Sequence, residues 1–150
     1  MGLLGNLFGK HRRLVFDAPA GWDSEEAEGG TLILAPHEEA GWQANIFVEE
    51  VKDRESRDLK AMLNDLVPNL KHAKKGVEIL GSTVERHASG FEYGVLRYRV
   101  AGDGVALRER QLVVPLGGRH AAMVLFSAAD SIAAKYERVF DDFVGSLMIE

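Results

Sequence analysis

Cysteine is absent from this 150-residue chain, and its absence excludes several kinds of chemistry. Without a thiol there is no disulfide framework, no thiolate nucleophile and no cysteine-ligated zinc or iron–sulfur site. Basic residues are the scarcer charge, since 18 Lys and Arg stand against 23 Asp and Glu and give a formal net charge of −5. Proteins that bind nucleic acid usually carry a basic excess, so we expect no nucleic-acid partner.

Long apolar runs are also missing. No stretch of 18 consecutive apolar residues exists, so we expect no membrane-spanning segment. Residues 1–13 begin with a short apolar part that glycines interrupt, and the basic residues follow it, which is the reverse of a secretory signal. We therefore expect a cytoplasmic protein with a flexible N-terminal segment at 1–13. The alternative for this segment is a short amphipathic patch that makes weak contact with a membrane surface or a partner.

Motifs of catalysis and metal binding are lacking as well. The five histidines form no HxH, HExxH or Hx3–5H pair, and no serine stands in a GxSxG motif. The 16 glycines include neither a phosphate-binding loop nor a dinucleotide fingerprint. We therefore predict no catalytic residue, no metal, no cofactor and no enzymatic activity.

The stretch from Phe91 to Ala128 is the clearest structural signal that the sequence does carry. Three segments rich in apolar and β-branched residues, 91–100, 105–115 and 119–128, are separated by glycine-containing turns. This pattern predicts an antiparallel meander. The third segment is apolar on both faces, so we expect it in the middle of a sheet with cover on each side.

Further short apolar segments predict more strands. They lie at 14–16, 31–35, 42–51 and 77–87, whereas 25–30 has the composition of a polar loop.

Two segments have helical periodicity. Residues 56–75 carry apolar side chains at spacings of three and four, with Ser56 as the expected N-cap. Pro68 lies inside this pattern and is expected to kink the helix or end it near Val67. A second helix with a strong apolar stripe, capped by Asp130 or Ser131, is expected to run almost to the end of the chain.

The order of these elements indicates the fold class. Strands grouped between two helices, with hairpin-length loops, are typical of α+β proteins. We expect an antiparallel sheet of six to seven strands flanked by two main helices, and a single domain over residues 14–150.

Four arginines are the one feature among these strands that suggests a binding function. Arg97 and Arg99 share a face of one predicted strand, and Arg108 and Arg110 share a face of the next. They could pair across strands with carboxylates such as Glu92 and Glu109. Alternatively, they could present guanidinium groups in a groove that holds a peptide, a helix or an anionic ligand. The candidate partner-binding residues are Trp42, Gln43, Asn45, Tyr93, Arg97, Arg99, Arg108, Arg110 and Gln111.

Two short patterns resemble a known family. They are an early Phe16-x-x-Pro19-x-Gly21-Trp22 and a closing Tyr136-x-x-Val139-Phe140-x-x-Phe143-x-x-Ser146-Leu147. With the four-strand meander, they resemble the PsbP-like superfamily, which also holds the yeast Ran-binding Mog protein and bacterial DcrB-like domains of unknown function. Within it, the chain most resembles the Eag-type chaperones of type VI secretion.

This resemblance implies a PsbP-like α/β/α sandwich and a non-enzymatic binding function. Eag-type chaperones bind apolar or transmembrane segments of secreted effectors, usually as dimers, on a concave apolar sheet surface. The chain departs from them in its start, which is longer than a bare first strand requires, and their binding residues do not map onto it position by position. The alternatives are an accessory subunit of an envelope assembly and a small anionic-ligand binder.

Overall fold

The structure is a computed structural model, and it describes residues 12–52 and 58–150. The described residues form nine strands, two α-helices and one 3-10 turn. The strands are β1 (Leu14–Val15), β2 (Asp23–Ala27), β3 (Gly30–Glu39), β4 (Trp42–Lys52), β5 (Glu78–Arg86), β6 (Glu92–Ala101), β7 (Ala106–Gly117), β8 (His120–Ala129) and β9 (Met148–Ile149). The helices are α1 (Leu59–Ala73) and α2 (Ala133–Ser146), and the 3-10 turn spans Asp130–Ile132.

Seven of the strands form one antiparallel sheet, in the order β2-β3-β4-β8-β7-β6-β5. The predicted α+β class, with a sheet of six to seven strands and two helices, is confirmed. Strand β8 is the fourth of the seven, so the doubly apolar segment does lie at the centre of the sheet. The sequence did not predict the small second sheet, in which β1 pairs with β9.

Helix α2 packs on one face of the sheet through aromatic side chains. Phe140 and Phe143 place their rings 4.7 and 5.7 Å from the ring of Phe126, which points up from β8. Tyr136 and Val144 extend the same buried stripe of the helix. Spacings of three and four residues bring these side chains onto one side of a helix, which is why this segment covers a sheet.

Helix α1 packs on the opposite face. Its Leu63 and Leu70 are buried in a second core cluster with Leu96 and Tyr98 of β6. The backbone of β6 comes close to this helix at Gly94, where an added Cβ would lie 3.0 Å from the Leu63 side chain. A glycine at this position therefore allows the helix to approach the sheet.

The boundaries of α1 differ from the sequence prediction. Ser56 lies outside the described residues, and the N-cap is Asp58, whose Oδ1 accepts a hydrogen bond of 2.8 Å from the Ala61 amide. Pro68 does not end the helix, which continues to Ala73. Pro68 and Asn64 are both exposed, so the Asn64 carbonyl that loses its amide partner can bind water instead.

The β2 to β3 region was also predicted incorrectly. The expected polar loop at 25–30 instead contains the end of β2, an edge strand whose side chains are mostly exposed and charged. Such edges resist pairing with other chains. Strand β3 continues past Pro36 to Glu39, because an irregularity in its register between Leu34 and Glu38 accommodates the proline.

Neither expected cap holds α2. Asp130 and Ser131 belong to the 3-10 turn, and Ile132 precedes the helix without a side-chain capping bond. Of the N-terminal segment predicted to be flexible, residues 1–11 lie outside the described residues. Arg12 and Arg13 are hydrogen-bonded through their backbone to Leu116 and Glu150.

Candidate functional site

Strand register divides the nine candidate residues between the two faces of the sheet. Tyr93 and the four arginines lie on the face that carries α2, whereas Gln43, Asn45 and Gln111 lie on the face that carries α1. Trp42, at the start of β4, packs against the core under α1. The nine residues therefore cannot form one groove, because side chains alternate between faces along each strand.

Each helix covers only part of its face. On the face of α1, one cross-strand row passes from Leu96, which is fully buried under the helix, through Gln111 and Leu125 to Phe47 and Leu32. All four residues beyond Leu96 are partly exposed, although three are apolar. Within the described residues, no helix lies over this end of the row.

Neighbouring rows extend this partly exposed region, which we call the open face. Leu34 and Asn45 form a cross-strand pair on one side of the central row, and Met123 and Glu49 form one on the other. The open face thus combines apolar side chains with neutral amides and one carboxylate. Its members are Leu32, Leu34, Gln43, Asn45, Phe47, Glu49, Gln111, Met123 and Leu125.

Two of the amides on the open face are held by the backbone. Gln43 Nε2 donates a hydrogen bond of 2.7 Å to the Ala35 carbonyl, and Asn45 Nδ2 donates one of 3.0 Å to the Gln43 carbonyl. In each case the amide oxygen is the remaining acceptor. A bound segment could therefore meet acceptors that are fixed in position between the apolar side chains.

A buried polar cluster borders the open face beside α1. Lys74 Nζ lies 2.7 Å from Oε1 of Glu109, whose side chain is 4% exposed. Burial, together with the neighbouring Glu109 carboxylate, raises the pKa of Tyr98 far above its usual range. Next to Glu109 in the register is Ser127, whose Oγ is buried without a hydrogen-bond partner, as is Nε1 of Trp42.

The arginine stripe on the opposite face is largely occupied by carboxylates. Arg110 is 8% exposed and binds Asp141 at 2.8 Å and Glu137 at 2.9 Å, both on α2. Its guanidinium also lies 5.7 Å from the ring centre of Phe126. Arg110 therefore joins the sheet to the helix, which is mainly a structural role.

A second ion-pair group joins the sheet to the start of α2. Oδ1 of Asp130 accepts hydrogen bonds of 2.9 Å from Nε of Arg99 and from Nε of Arg108, and Arg99 also binds Glu78. These hydrogen bonds, first that of Arg99, lower the pKa of Asp130 despite its partial burial. The predicted pairing with Glu109 is wrong, because Glu109 points to the other face.

Arg97 is the least engaged of the four arginines. Its side chain is 39% exposed and has one ion pair among the described residues, in which Nη1 lies 3.6 Å from Oε2 of Glu85. Tyr93, four residues earlier on the same face, is buried and donates a weak hydrogen bond of 3.5 Å to Glu85. Burial and the Glu85 charge raise the pKa of Tyr93.

A cleft runs between α2 and the β5–β6 edge of the sheet, with Arg97 and Arg110 along its floor. One part, of about 130 Å³, has mostly apolar walls that include Leu80 and Phe140. The adjoining part, of about 260 Å³, extends towards His87 at the β5–β6 turn. The cleft is separated from the open face by the sheet itself.

Neither of the helices in residues 12–52 and 58–150 is long and apolar enough to cross a membrane. No group of three or more His, Asp or Glu side chains in these ranges is placed to hold a metal ion.

Comparison with known proteins identifies the fold. No protein-family model and no curated protein sequence matches the chain. Among solved structures, it is similar to cyanobacterial PsbP (CyanoP) from Synechocystis, with a TM-score of 0.65, 16% identity and coverage of 97% of this chain and 96% of that one. It is also similar to the Ran-binding protein Mog1p of Saccharomyces cerevisiae, with a TM-score of 0.64, 10% identity and coverage of 91% of this chain and 94% of that one.

A third similar structure is LpqN of Mycobacterium tuberculosis, a protein involved in cell envelope biogenesis. Its TM-score is 0.68, with 14% identity and coverage of 92% of this chain and 83% of that one. These likenesses show that the fold is PsbP/Mog1-like. At such low identity they establish the fold and not the function.

Sequence reasoning missed the apolar members of the open face. Phe47 lies between Asn45 and Glu49, and the sequence alternation does place all three on one face of β4. The alternation could not reveal that this face stays partly exposed among the described residues, since that depends on where α1 packs. Leu125 and Met123 had the appearance of core residues for the same reason.

Proposed function

We propose that this protein is a non-enzymatic binding protein that shields an apolar segment of another protein on its open face. The observation that carries the proposal is the row Gln111–Leu125–Phe47–Leu32, which leaves the cover of α1 and is partly exposed over its whole remaining length. Contiguous apolar surface on a sheet is a feature of interaction sites, whereas scattered apolar residues are not.

The chemistry of the open face fits an apolar helix. Phe47, Leu32 and Leu125 would cover its apolar side chains, and the amide oxygens of Gln43 and Asn45 would accept hydrogen bonds from small hydroxyl residues. Such a helix aggregates in water unless it is covered. The resemblance to Eag-type chaperones supports the same reading and leads us to propose a cytoplasmic effector chaperone that acts as a dimer.

The proposal is tested by the solubility of a synthetic peptide. A 20-residue helix of Leu, Ala and Ser is diluted from solvent into buffer, and turbidity is followed with and without the purified protein. We expect the wild-type protein to prevent turbidity in proportion to its concentration. The Phe47→Glu/Leu125→Glu double variant should not do so, because it places two charges in the binding surface.

Val84→Glu is the matched control. Val84 is 44% exposed on the edge strand β5, four strands from β4 and so about 19 Å away. This variant should protect the peptide as the wild type does. Equal protection by the double variant, or none by the wild type, would contradict the proposal, and light scattering of the same samples reports whether the protein is a dimer.

A further inference from the structure

The cleft between α2 and the β5–β6 edge has a composition that suggests a second, separate site. Three arginines, Arg97, Arg108 and Arg110, line its smaller part. Glu137 is the lining carboxylate that can contact these arginines. The other lining residue with a carboxylate, Glu109, has its side chain on the opposite face of the sheet, where Lys74 binds it. On the lining itself, three guanidinium groups therefore face one carboxylate, and the other carboxylates that pair with these arginines stand outside it.

Some guanidinium nitrogens of these arginines already contact carboxylates, and others do not. The contacts of Arg108 to Asp130 use Nε and Nη2, and those of Arg110 to α2 use Nη1 and Nη2. Arg97 uses only Nη1, in its 3.6 Å contact with Glu85. Donors therefore remain on Arg97 and Arg108, and guanidinium donors of this kind suit the two oxygens of a carboxylate.

Local backbone structure keeps the space next to Arg97 open. The cross-strand partner of Arg97 on β5 is Gly81, and an added Cβ there would meet no atom within 4 Å. The register irregularity just before Gly81 places Leu80 on the cleft lining, although Leu80 is otherwise exposed. The cleft therefore has a charged floor, an apolar wall and an opening beside the charge.

The start of α2 also faces the cleft. Ala133, the first residue of this 14-residue helix, lines the cleft, and no side chain caps the helix. Helix N-termini carry partial positive charge from their amide groups. The arginines and this helix end act on the same small volume.

We infer that this cleft binds a small carboxylate with a short apolar tail, held by Arg97 and Arg108 with its tail against Leu80 and Phe140. The volume of about 130 Å³ and its mostly apolar walls favour a ligand of a few carbon atoms over a bare inorganic anion. Carboxylates on the outer rim, on Glu85, Asp130 and Asp141, are already paired with arginine and do not fill the cleft.

The test is a titration with butyrate at constant ionic strength, followed by the arginine Nε–H signals in ¹H–¹⁵N spectra and by calorimetry. We expect saturable shifts of the Arg97 and Arg108 signals. Butyrate should bind about tenfold more tightly than acetate, since it buries two more methylene groups. Propylammonium, which has the same three-carbon tail and the opposite charge, should cause no saturable shift.

Two variants distinguish the contribution of the Arg97 charge to binding from that of the open space beside Gly81. Arg97→Gln should weaken butyrate binding about tenfold or more, because a charge-assisted hydrogen bond is lost. Gly81→Val keeps every charge and should weaken butyrate more than acetate by narrowing the cleft. Arg138→Gln is the control, because Arg138 is 93% exposed and lies outside the cleft lining.

Several results would overturn the inference. They are the lack of a saturable shift with butyrate, undiminished binding in Arg97→Gln, and phosphate binding more tightly than butyrate. Since the cleft and the open face lie on opposite sides of the sheet, failure here leaves the peptide-solubility test unaffected, and the reverse also holds.

Discussion

Replacement of Asp130 by asparagine should measure how strongly the ion pairs bind α2 to the sheet. One carboxylate receives two guanidinium groups, and the three side chains are 24%, 34% and 32% exposed for Asp130, Arg99 and Arg108. Hydrogen bonds to charged groups contribute about 1.5–3 kcal/mol when buried, and exposed ion pairs contribute about 0.2–1 kcal/mol. With this intermediate exposure, we expect Asp130→Asn to cost about 1–2 kcal/mol.

The pH dependence gives this prediction a second, independent part. The hydrogen bonds from Arg99 and Arg108 lower the pKa of Asp130 in the folded protein below its unfolded value of about 3.9. The stabilisation by a carboxyl of this kind is fully present above the unfolded pKa and is lost as the pH falls through the folded pKa. The difference in unfolding free energy between wild type and variant should therefore be constant near pH 7 and shrink below about pH 4.

Urea titrations of both proteins at several pH values measure these differences. Asp142→Asn is the control, since Asp142 is 76% exposed and lies 4.0 Å from the fully solvated Arg138, so its replacement should change the free energy of unfolding by less than about 0.5 kcal/mol. If Asp130→Asn has no larger effect than this control, or if its effect is the same at pH 7 and pH 3, the argument from these ion pairs is wrong.

Four further substitutions, in three experiments, test the packing on either face by urea titration. Lys74→Met should lower the free energy of unfolding by about 2 kcal/mol, since the Glu109 carboxylate, 4% exposed, loses its cation. Adding Glu109→Gln should recover at least half of this loss. If the effects of the two substitutions are additive instead, the coupling between Lys74 and Glu109 is contradicted. Ser127→Ala removes a buried hydroxyl that has no partner, so it should leave the free energy of unfolding within about 0.5 kcal/mol or raise it, and a loss above about 1 kcal/mol would mean that the hydroxyl is bonded. Phe126→Ala should cost about 3–5 kcal/mol, because its ring is fully buried against α2, and a loss below about 1 kcal/mol would contradict that packing.

The fold could be predicted from the sequence where local patterns decide it. The run from Ala121 to Phe126 is apolar on both faces, and β8 is accordingly the central strand. The alternation around Arg97 and Arg99 correctly placed both on one face of β6. The prediction at Pro68 was wrong, because a proline on the exposed side of a helix costs less stability than one whose freed carbonyl is buried.

The candidate site could be predicted only in part, since it depends on contacts between distant residues. The carboxylates that bind Arg110, on Glu137 and Asp141, lie 27 and 31 positions further along the chain, and no local pattern connects them. The open face likewise exists because α1 packs over β5, β6 and β7, so that among the described residues no helix lies over Phe47 and Leu32, which stay partly exposed. The position of a helix across a sheet is set by tertiary packing.

Site-specific crosslinking in the native host tests the central proposal most directly. A photoreactive phenylalanine analogue replaces Phe47 on the open face or, as the control, Val84 on the β5 edge, and the crosslinked products are identified by mass spectrometry. The account predicts that position 47 crosslinks to an apolar segment of one partner protein and that position 84 does not. No product from position 47, or the same products from both positions, would contradict the assignment of the open face as the binding surface.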